Sequence, residues 1–307
     1  NSLYRKRQKN LAVTWGLAFL LIFPLLILLG LLMRMGQGEL AAGQTPLDFY
    51  SMMTFHGLGM IGILYSLAFA GVWYLLSTRY IRLNITLGYV LLATILIGLG
   101  GLAIGTLIGK FAAGWYLLYP LPFKNPSWKS SATGISVISL IILGVAWLIG
   151  ILHVLYALAK KYNGYGNLLG WQYLRKGKPK KEIRPLVMIS TISLVPGVFA
   201  CIAGAVLLIL YLLQHFEPSL NFDPLAMKNL VMFFGHTIAN ITMYLAVGWV
   251  YALLPEFTGR KIKMSKLLVI SWNATFFFIV FAFFHHMYMD FVQPLPFQYI
   301  GQIASYL

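Results

Sequence analysis

Four of the six histidines in this 307-residue chain stand where ionisable side chains are costly: His56, His236 and the adjacent pair His285 and His286 all lie inside long apolar runs. Neutral imidazole is a ligand for haem iron, copper and zinc. Consecutive residues on a helix differ by about 100° in direction, so His285 and His286 must splay around one metal, with His236 facing them from another helix. Three imidazoles with an open position suit copper or iron that has to bind a small molecule. His56 belongs to a different run and is a candidate axial ligand of a haem. A lone histidine in a membrane commonly just hydrogen-bonds a neighbouring helix. Four, including an adjacent pair, argue for ligands instead. His153 and His215 lie at the ends of runs and read as solvated or capping residues. Cys201, the single cysteine, cannot form an internal disulfide or a cysteine cluster and reads as a small buried hydrophobe.

The elements that must position these residues are membrane spans. Hydrophobic residues make up 60% of the chain and charged ones 10%, with a mean hydropathy of +0.80, whereas soluble domains are about a quarter charged. Seven apolar runs have spanning length, over about 11–33, 50–76, 83–109, 133–158, 186–214, 229–255 and 267–289. Strands of a membrane barrel would be half as long and would alternate, so the runs are helices. The first run is too long for the apolar part of a signal peptide and reads as the first span. The expectation is an all-α, polytopic transmembrane helical bundle in which residues 1–307 form a single transmembrane domain.

Orientation follows from lysine and arginine. With the N-terminus in the cytoplasm, the inner segments hold Arg5, Lys6, Arg7, Lys9, Arg79, Arg82, Lys160, Lys161, Arg175, Lys176, Lys178, Lys180, Lys181, Arg184, Arg260, Lys261, Lys263 and Lys266. The outer side keeps Arg34, Lys110, Lys124, Lys129 and Lys228. Eighteen against five is the positive-inside pattern. The net charge of +16 is therefore a membrane signal, since its basic residues sit in short loops, and nucleic acid is not an expected partner. The inner stretch from Trp171 to Arg184 is expected to lie against anionic lipid headgroups. On this orientation all four run-embedded histidines fall within roughly 5–12 Å of the outer boundary. The C-terminal end lies outside, and Ile303 to Leu307 look like the start of another apolar run, so the chain is expected to be incomplete there.

These residues resemble the first seven helices of the catalytic subunit I of the haem-copper oxidase superfamily. Thr54-Phe55-His56-Gly57-Leu58-Gly59-Met60 resembles the helix-II motif that carries a low-spin haem ligand. Gly235-His236, followed nineteen residues on by Pro255, is similar to the helix-VI motif, and Phe284-His285-His286 to the helix-VII pair. Asp290, four residues after His286, matches a histidine-histidine-x-x-x-aspartate pattern of the B-type oxidases, and Tyr116 to Leu121 resembles their outer loop between helices III and IV. The resemblance implies about twelve helices in the whole subunit, a metal at His236, His285 and His286 that is usually copper and in some members iron, and two haems, one low-spin and one high-spin. The remaining haem ligands come from helix X, which this sequence does not contain. It implies a prokaryotic plasma membrane, a subunit II-type partner and the remaining helices of subunit I. The electron donor would be cytochrome c, a cupredoxin or a quinol.

One departure bears on the reaction. Oxygen reductases of this superfamily read His-Pro-x-x-Tyr on helix VI, and the tyrosine is cross-linked to the metal-ligand histidine. Here the stretch is His236-Thr237-Ile238-Ala239-Asn240. An amide supplies neither a proton nor an electron; it only donates or accepts hydrogen bonds. Another oxygen-reductase class draws the tyrosine from helix VII, where this chain has Phe276, Phe277, Phe278, Ile279, Val280 and Phe281. Of two further helix-VI tyrosines on the B-type proton path, the matching positions are Val247 and Tyr251, so one is kept. Asp290 is a candidate for proton or water traffic on the outer side, against the plainer reading of a solvated carboxylate. Glu256 reads as a surface ion pair beside Arg260 and Lys261.

Reducing O₂ to water takes four electrons and four protons; reducing two NO to N₂O and water takes two of each and no tyrosyl radical. Nitric oxide reductases of the superfamily lack the tyrosine, so the expected activity is NO reduction, with Asn240, His236, His285 and His286 at the reacting centre. A terminal oxidase reducing O₂ is the alternative. A non-enzymatic cytochrome b-type subunit would have no use for the pair His285-His286, and a histidine-lined transporter would bind no haem.

Overall fold

The computed structural model describes residues 2–38, 40, 43–123, 127–175 and 181–306. Lys124, Lys176, Lys178, Lys180 and Leu307, used above in the charge count and the last apolar run, lie outside the described residues. The described residues form no strand. In chain order the helices are α1 (Ser2–Gln37), α2 (Pro46–Arg79), α3 (Ile85–Ala103, continued by a π-turn over Ile104–Ile108), α4 (Ser130–Tyr162), the short α5 (Tyr165–Leu168), α6 (Pro185–Phe216), α7 (Pro224–Thr258), α8 (Lys266–Phe281) and α9 (Leu295–Tyr306). Among the described residues, seven helical segments are long and apolar enough to cross a membrane: α1 to α4, α6, α7, and α8 taken together with its continuation to His286.

Local sequence sets their ends. Proline opens α2, α6 and α7 at the first turn, where a missing N–H costs nothing. Thr45 and Asp48 cap α2 reciprocally, the Thr45 hydroxyl accepting from the Asp48 N–H and the Asp48 carboxylate from the Thr45 N–H. Asn84, Asp223 and Ser265 cap α3, α7 and α8. Asn163 and Gly259, both left-handed, end α4 and α7. The helices outrun the apolar stretches: α2 starts at Pro46 and α7 at Pro224, each ahead of its first long apolar run.

Helix contacts form a ring. α1 packs on α2, α2 on α7, α7 on α6, α6 on α4, α4 on α3, and α3 returns to α1. α2 also touches α3, α4 and α6, which makes it the hub. α8 leans on α6 and α7 from outside and buries only Val269, Trp272 and Ile279. Lipid gives no hydrophobic drive between helices, so small residues and polar ties hold the seams. At the α3–α4 seam Gly98 faces the Ser139 carbonyl, and a Cβ there would stand 2.9 Å from that oxygen. Buried Gln8 of α1 donates to the Leu83 carbonyl at 3.0 Å and accepts from the Trp73 indole at 3.1 Å, tying α1 to α2 and to the turn before α3. His153 and His215 fill interface roles: His153 accepts the Asn84 N–H at 3.1 Å, and His215 lies 3.5 Å from the Ser130 hydroxyl at the start of α4.

Candidate metal centre

His236, His285 and His286 meet. His236 is buried on α7, and its Nδ1 stands 3.1 Å from His286 Nε2. His285 Nε2 stands 2.9 Å from the same atom. One ring nitrogen from each residue lies within 4.8 Å of the others. The adjacent pair is not on an α-helix: α8 tightens at Ala282 into a 3₁₀ turn that runs to His286. Side chains there separate by about 120° rather than about 100°, and both rings still reach α7, their centroids 4.9 and 5.1 Å from that of His236.

Hydrogen bonding does not account for this convergence. A neutral imidazole nitrogen is either one donor or one acceptor, so His286 Nε2 satisfies only one of the two nitrogens facing it. A shared cation satisfies all three. Ligand atoms around an ion bound at roughly 2.0–2.1 Å stand roughly 3.3 Å apart, close to the spacings seen.

Asn240, one turn beyond His236, takes hold of that residue twice. Its Nδ2 donates to the His236 carbonyl at 2.8 Å and lies 3.1 Å from ring Nε2, the nitrogen turned away from the cluster. The amide N–H groups are therefore engaged with His236, and only Oδ1 is left to act elsewhere.

His56 stands apart from the cluster on α2. Its Nδ1 lies 2.7 Å from the Leu26 carbonyl of α1, which fixes the proton on Nδ1 and leaves Nε2 with a free lone pair. A ligating histidine is oriented in this way, through its other ring nitrogen. Gly30 of α1 makes the approach possible, because a Cβ there would stand 2.9 Å from His56 Cε1. A cavity of about 660 Å³ connects the two histidine sites; His56, Trp147, Cys201, Phe234, His236 and His286 are among its walls.

Residues 10–307 match the family described as cytochrome c and quinol oxidase polypeptide I. The chain belongs to that family. It is also similar to a cytochrome c oxidase polypeptide 1 of Halobacterium salinarum, at 25% identity over 191 residues, which is 61% of this chain and 30% of the relative. The chain thus spans less than a third of the length of the curated relative it matches.

As a member of an oxidoreductase family whose subunits typically bind haems beside a copper or iron centre, this chain has donors that fit both groups. The three-nitrogen cluster suits the metal, and His56, seated against Gly30 with Nε2 free, suits a haem. The other residues singled out from sequence lie elsewhere. Tyr251 is fifteen residues beyond His236 on α7, roughly 22 Å along the axis, where its ring meets the edge of Trp272. Asp290 is ion-paired with Lys228 at 2.5 Å, which holds its carboxyl below the usual carboxylate range. Glu256 does form an ion pair, but its partner is Arg79 of α2 at 2.7 Å rather than Arg260 or Lys261. Sequence reading missed Leu26 and Gly30, the seat of His56. It also missed Lys228, Asn229 and Gln293. Gln293 donates to Asn229 Oδ1 at 3.1 Å, and with the Lys228–Asp290 pair this clips the segment after His286 to the start of α7. A glycine inside the first apolar run was the one available signal for Gly30.

Proposed function

We propose that this chain carries the low-spin haem ligand and the metal ligands of a B-type-like haem-copper reductase, and that its physiological reaction is the reduction of nitric oxide. The supporting observation is Asn240 against His236 Nε2, at the sequence position where the resemblance calls for a redox-active tyrosine. The reaction balances as two NO, two electrons and two protons giving N₂O and water: one N–N bond forms and one N–O bond breaks. Haems and a three-imidazole metal, when bound, would supply the electrons and a cationic site for the coupling.

In this reading the chain's own residues do three things. His236, His285 and His286 offer nitrogens to one point, and two of them, His236 and His286, line the cavity that His56 also borders. Asn240 fixes the His236 ring, with no redox-active group to offer in place of the tyrosine. The mainly apolar cavity walls exclude bulk water from a diatomic, uncharged substrate. Electrons would enter from a subunit II-type partner fed by cytochrome c, a cupredoxin or a quinol, and protons would arrive along water chains, with Tyr251 and Asp290 as candidate stations. The N-terminus would lie in the cytoplasm of a prokaryote.

Oxygen reduction is the second reading, favoured by the name of the Halobacterium salinarum relative. Side-by-side turnover of the purified complex separates the two. N₂O produced from NO, with slow O₂ consumption, supports the first; rapid four-electron reduction of O₂ without N₂O formation from NO rejects it.

A further inference from the structure

The opposite end of the bundle holds a second pocket, away from His56, His236, His285 and His286; His153 is among its walls. It is an open groove of about 680 Å³ between the start of α1, the end of α2, the turn into α3 and the end of α4. Arg5, Arg82, Lys160 and Lys161 line it, and among the described residues no carboxylate does. Arg79 also reaches the pocket, but its charge is matched by Glu256.

Two of the cations are braced. Arg82 lies over the Tyr4 ring, 5.7 Å from its centroid, and Lys161 donates to the Tyr80 carbonyl. Tyr4 is itself locked, its hydroxyl donating to the Leu83 carbonyl at 3.1 Å and accepting from the Leu83 N–H at 2.8 Å. All four cations are exposed to the groove, Arg5 and Lys160 among them. Two braced cations, with Arg5 and Lys160 beside them, have the chemistry of a phosphate-binding site.

The surroundings select a phosphate on a lipid. Tyr156 of α4 lines the pocket, and Val145, Ile149 and Leu152 continue from it up the same exposed face at helical spacing. From Tyr156 to Val145 that stripe is eleven residues, roughly 16 Å of helix, which is about the depth of one leaflet of a bilayer core roughly 30 Å thick. A polar anion site at headgroup level, continuous with an apolar strip one leaflet long, matches the two ends of a phospholipid. We infer that this pocket is a specific site for an anionic phospholipid such as phosphatidylglycerol, in the leaflet that the positive-inside pattern assigns to the cytoplasm. The bound headgroup would bridge α1, the α2–α3 turn and α4, clamping the ring of helices at the end remote from the metal centre.

The test uses the purified membrane complex containing this chain, returned to phosphatidylcholine vesicles with spin-labelled phosphatidylglycerol or spin-labelled phosphatidylcholine as probe. Wild type is expected to immobilise the anionic probe at least fivefold more strongly. The double variant Arg5→Gln/Lys160→Gln should lose at least fivefold of that preference, at about fivefold per cation removed. Lys261→Gln/Lys263→Gln, on the same side but outside the pocket, should keep it. Equal immobilisation of both probes by wild type, or an unchanged preference in the pocket variant, overturns the assignment. Should the double variant lose its helical circular dichroism, the single variants Arg5→Gln and Lys160→Gln carry the same test with smaller losses. Displacement of the labelled lipid by millimolar glycerol phosphate would mark a soluble-anion site and defeat the lipid reading. A photoreactive side chain placed at position 156 should capture lipid; capture of another polypeptide there would show a protein-covered face instead.

Discussion

Asn240 Nδ2 lies between two acceptors of one residue, 2.8 Å from the His236 carbonyl oxygen and 3.1 Å from His236 Nε2. With the ring proton on Nδ1 this arrangement is satisfied. A cation bound at Nδ1 moves the proton to Nε2, and Asn240 must then turn Oδ1 to accept it. The amide serves both states, which a leucine of similar bulk cannot. Asn240→Leu is expected to lower metal affinity by about 10- to 100-fold, the usual cost of losing the outer partner of a ligating histidine. Asn240→Asp, which accepts from Nε2–H as a carboxylate, should restore it. Metal content under chelator competition reads both, and equal affinity for wild type and the leucine variant would show that Asn240 does not position the ring.

Asp290 and Lys228 hold the chain leaving the histidine turn against α7. Lys228 beside it lowers the Asp290 carboxyl below its ordinary value. A carboxylate depressed in the folded state adds stability that is complete above the unfolded value of about 3.9 and is lost as pH falls through the lower folded one. The pair is partly exposed, so its worth is about 1 kcal/mol or less. The melting temperature of wild type should therefore exceed that of Asp290→Asn by a constant few degrees from pH 5 to 8, and the two should converge in acid below about pH 4. A gap that widened on acidification would contradict the ion pair as its source.

The sequence carried the parts of this site that are periodic or local. His56, His236 and the pair His285-His286 were visible because charge-capable side chains in apolar runs are rare, and the spans were visible by length. What stayed hidden depends on neighbours from distant segments. Leu26 offers a backbone carbonyl, which has no sequence signature. The 3₁₀ turn at Ala282–His286 depends on tertiary support: Phe297 stacks on Phe284 at 4.6 Å, and Gly301 of α9 lets that helix sit against the Phe284 backbone. The segment from Ile303 continues α9, which runs to the last described residue, Tyr306. Glu256 was given the wrong partner because Arg260 and Lys261 are close in sequence, whereas Arg79 is close in space.

Gly30 offers a clean test of the His56 seat. A methyl at that position would press on His56 Cε1 and push the ring off the Leu26 carbonyl. Gly16, on the same helix, has nothing within 4 Å of where its Cβ would be. Gly16→Ala should be silent or stabilising by up to about 1 kcal/mol, as expected for alanine replacing a helical glycine. Gly30→Ala should instead cut the low-spin haem signal of the purified complex to less than half while leaving the non-haem metal in place. Identical optical spectra for the two variants would show that Gly30 does not support the haem-ligand role proposed for His56.

Metal removal should act through the histidine turn. Without a cation, His286 Nε2 faces two ring nitrogens and can pair with only one. A ligand at 100 times its dissociation constant adds about 2.7 kcal/mol to the state that binds it. Chelation is therefore expected to lower the melting temperature of wild type and of His56→Ala by several degrees, and re-addition of copper or iron to restore it. His236→Ala should melt at the lower temperature throughout and respond to neither treatment. The contrast between the two histidine variants assigns the stabilising ion to the cluster rather than to His56, and a chelator response that survived in His236→Ala would place the ion somewhere else.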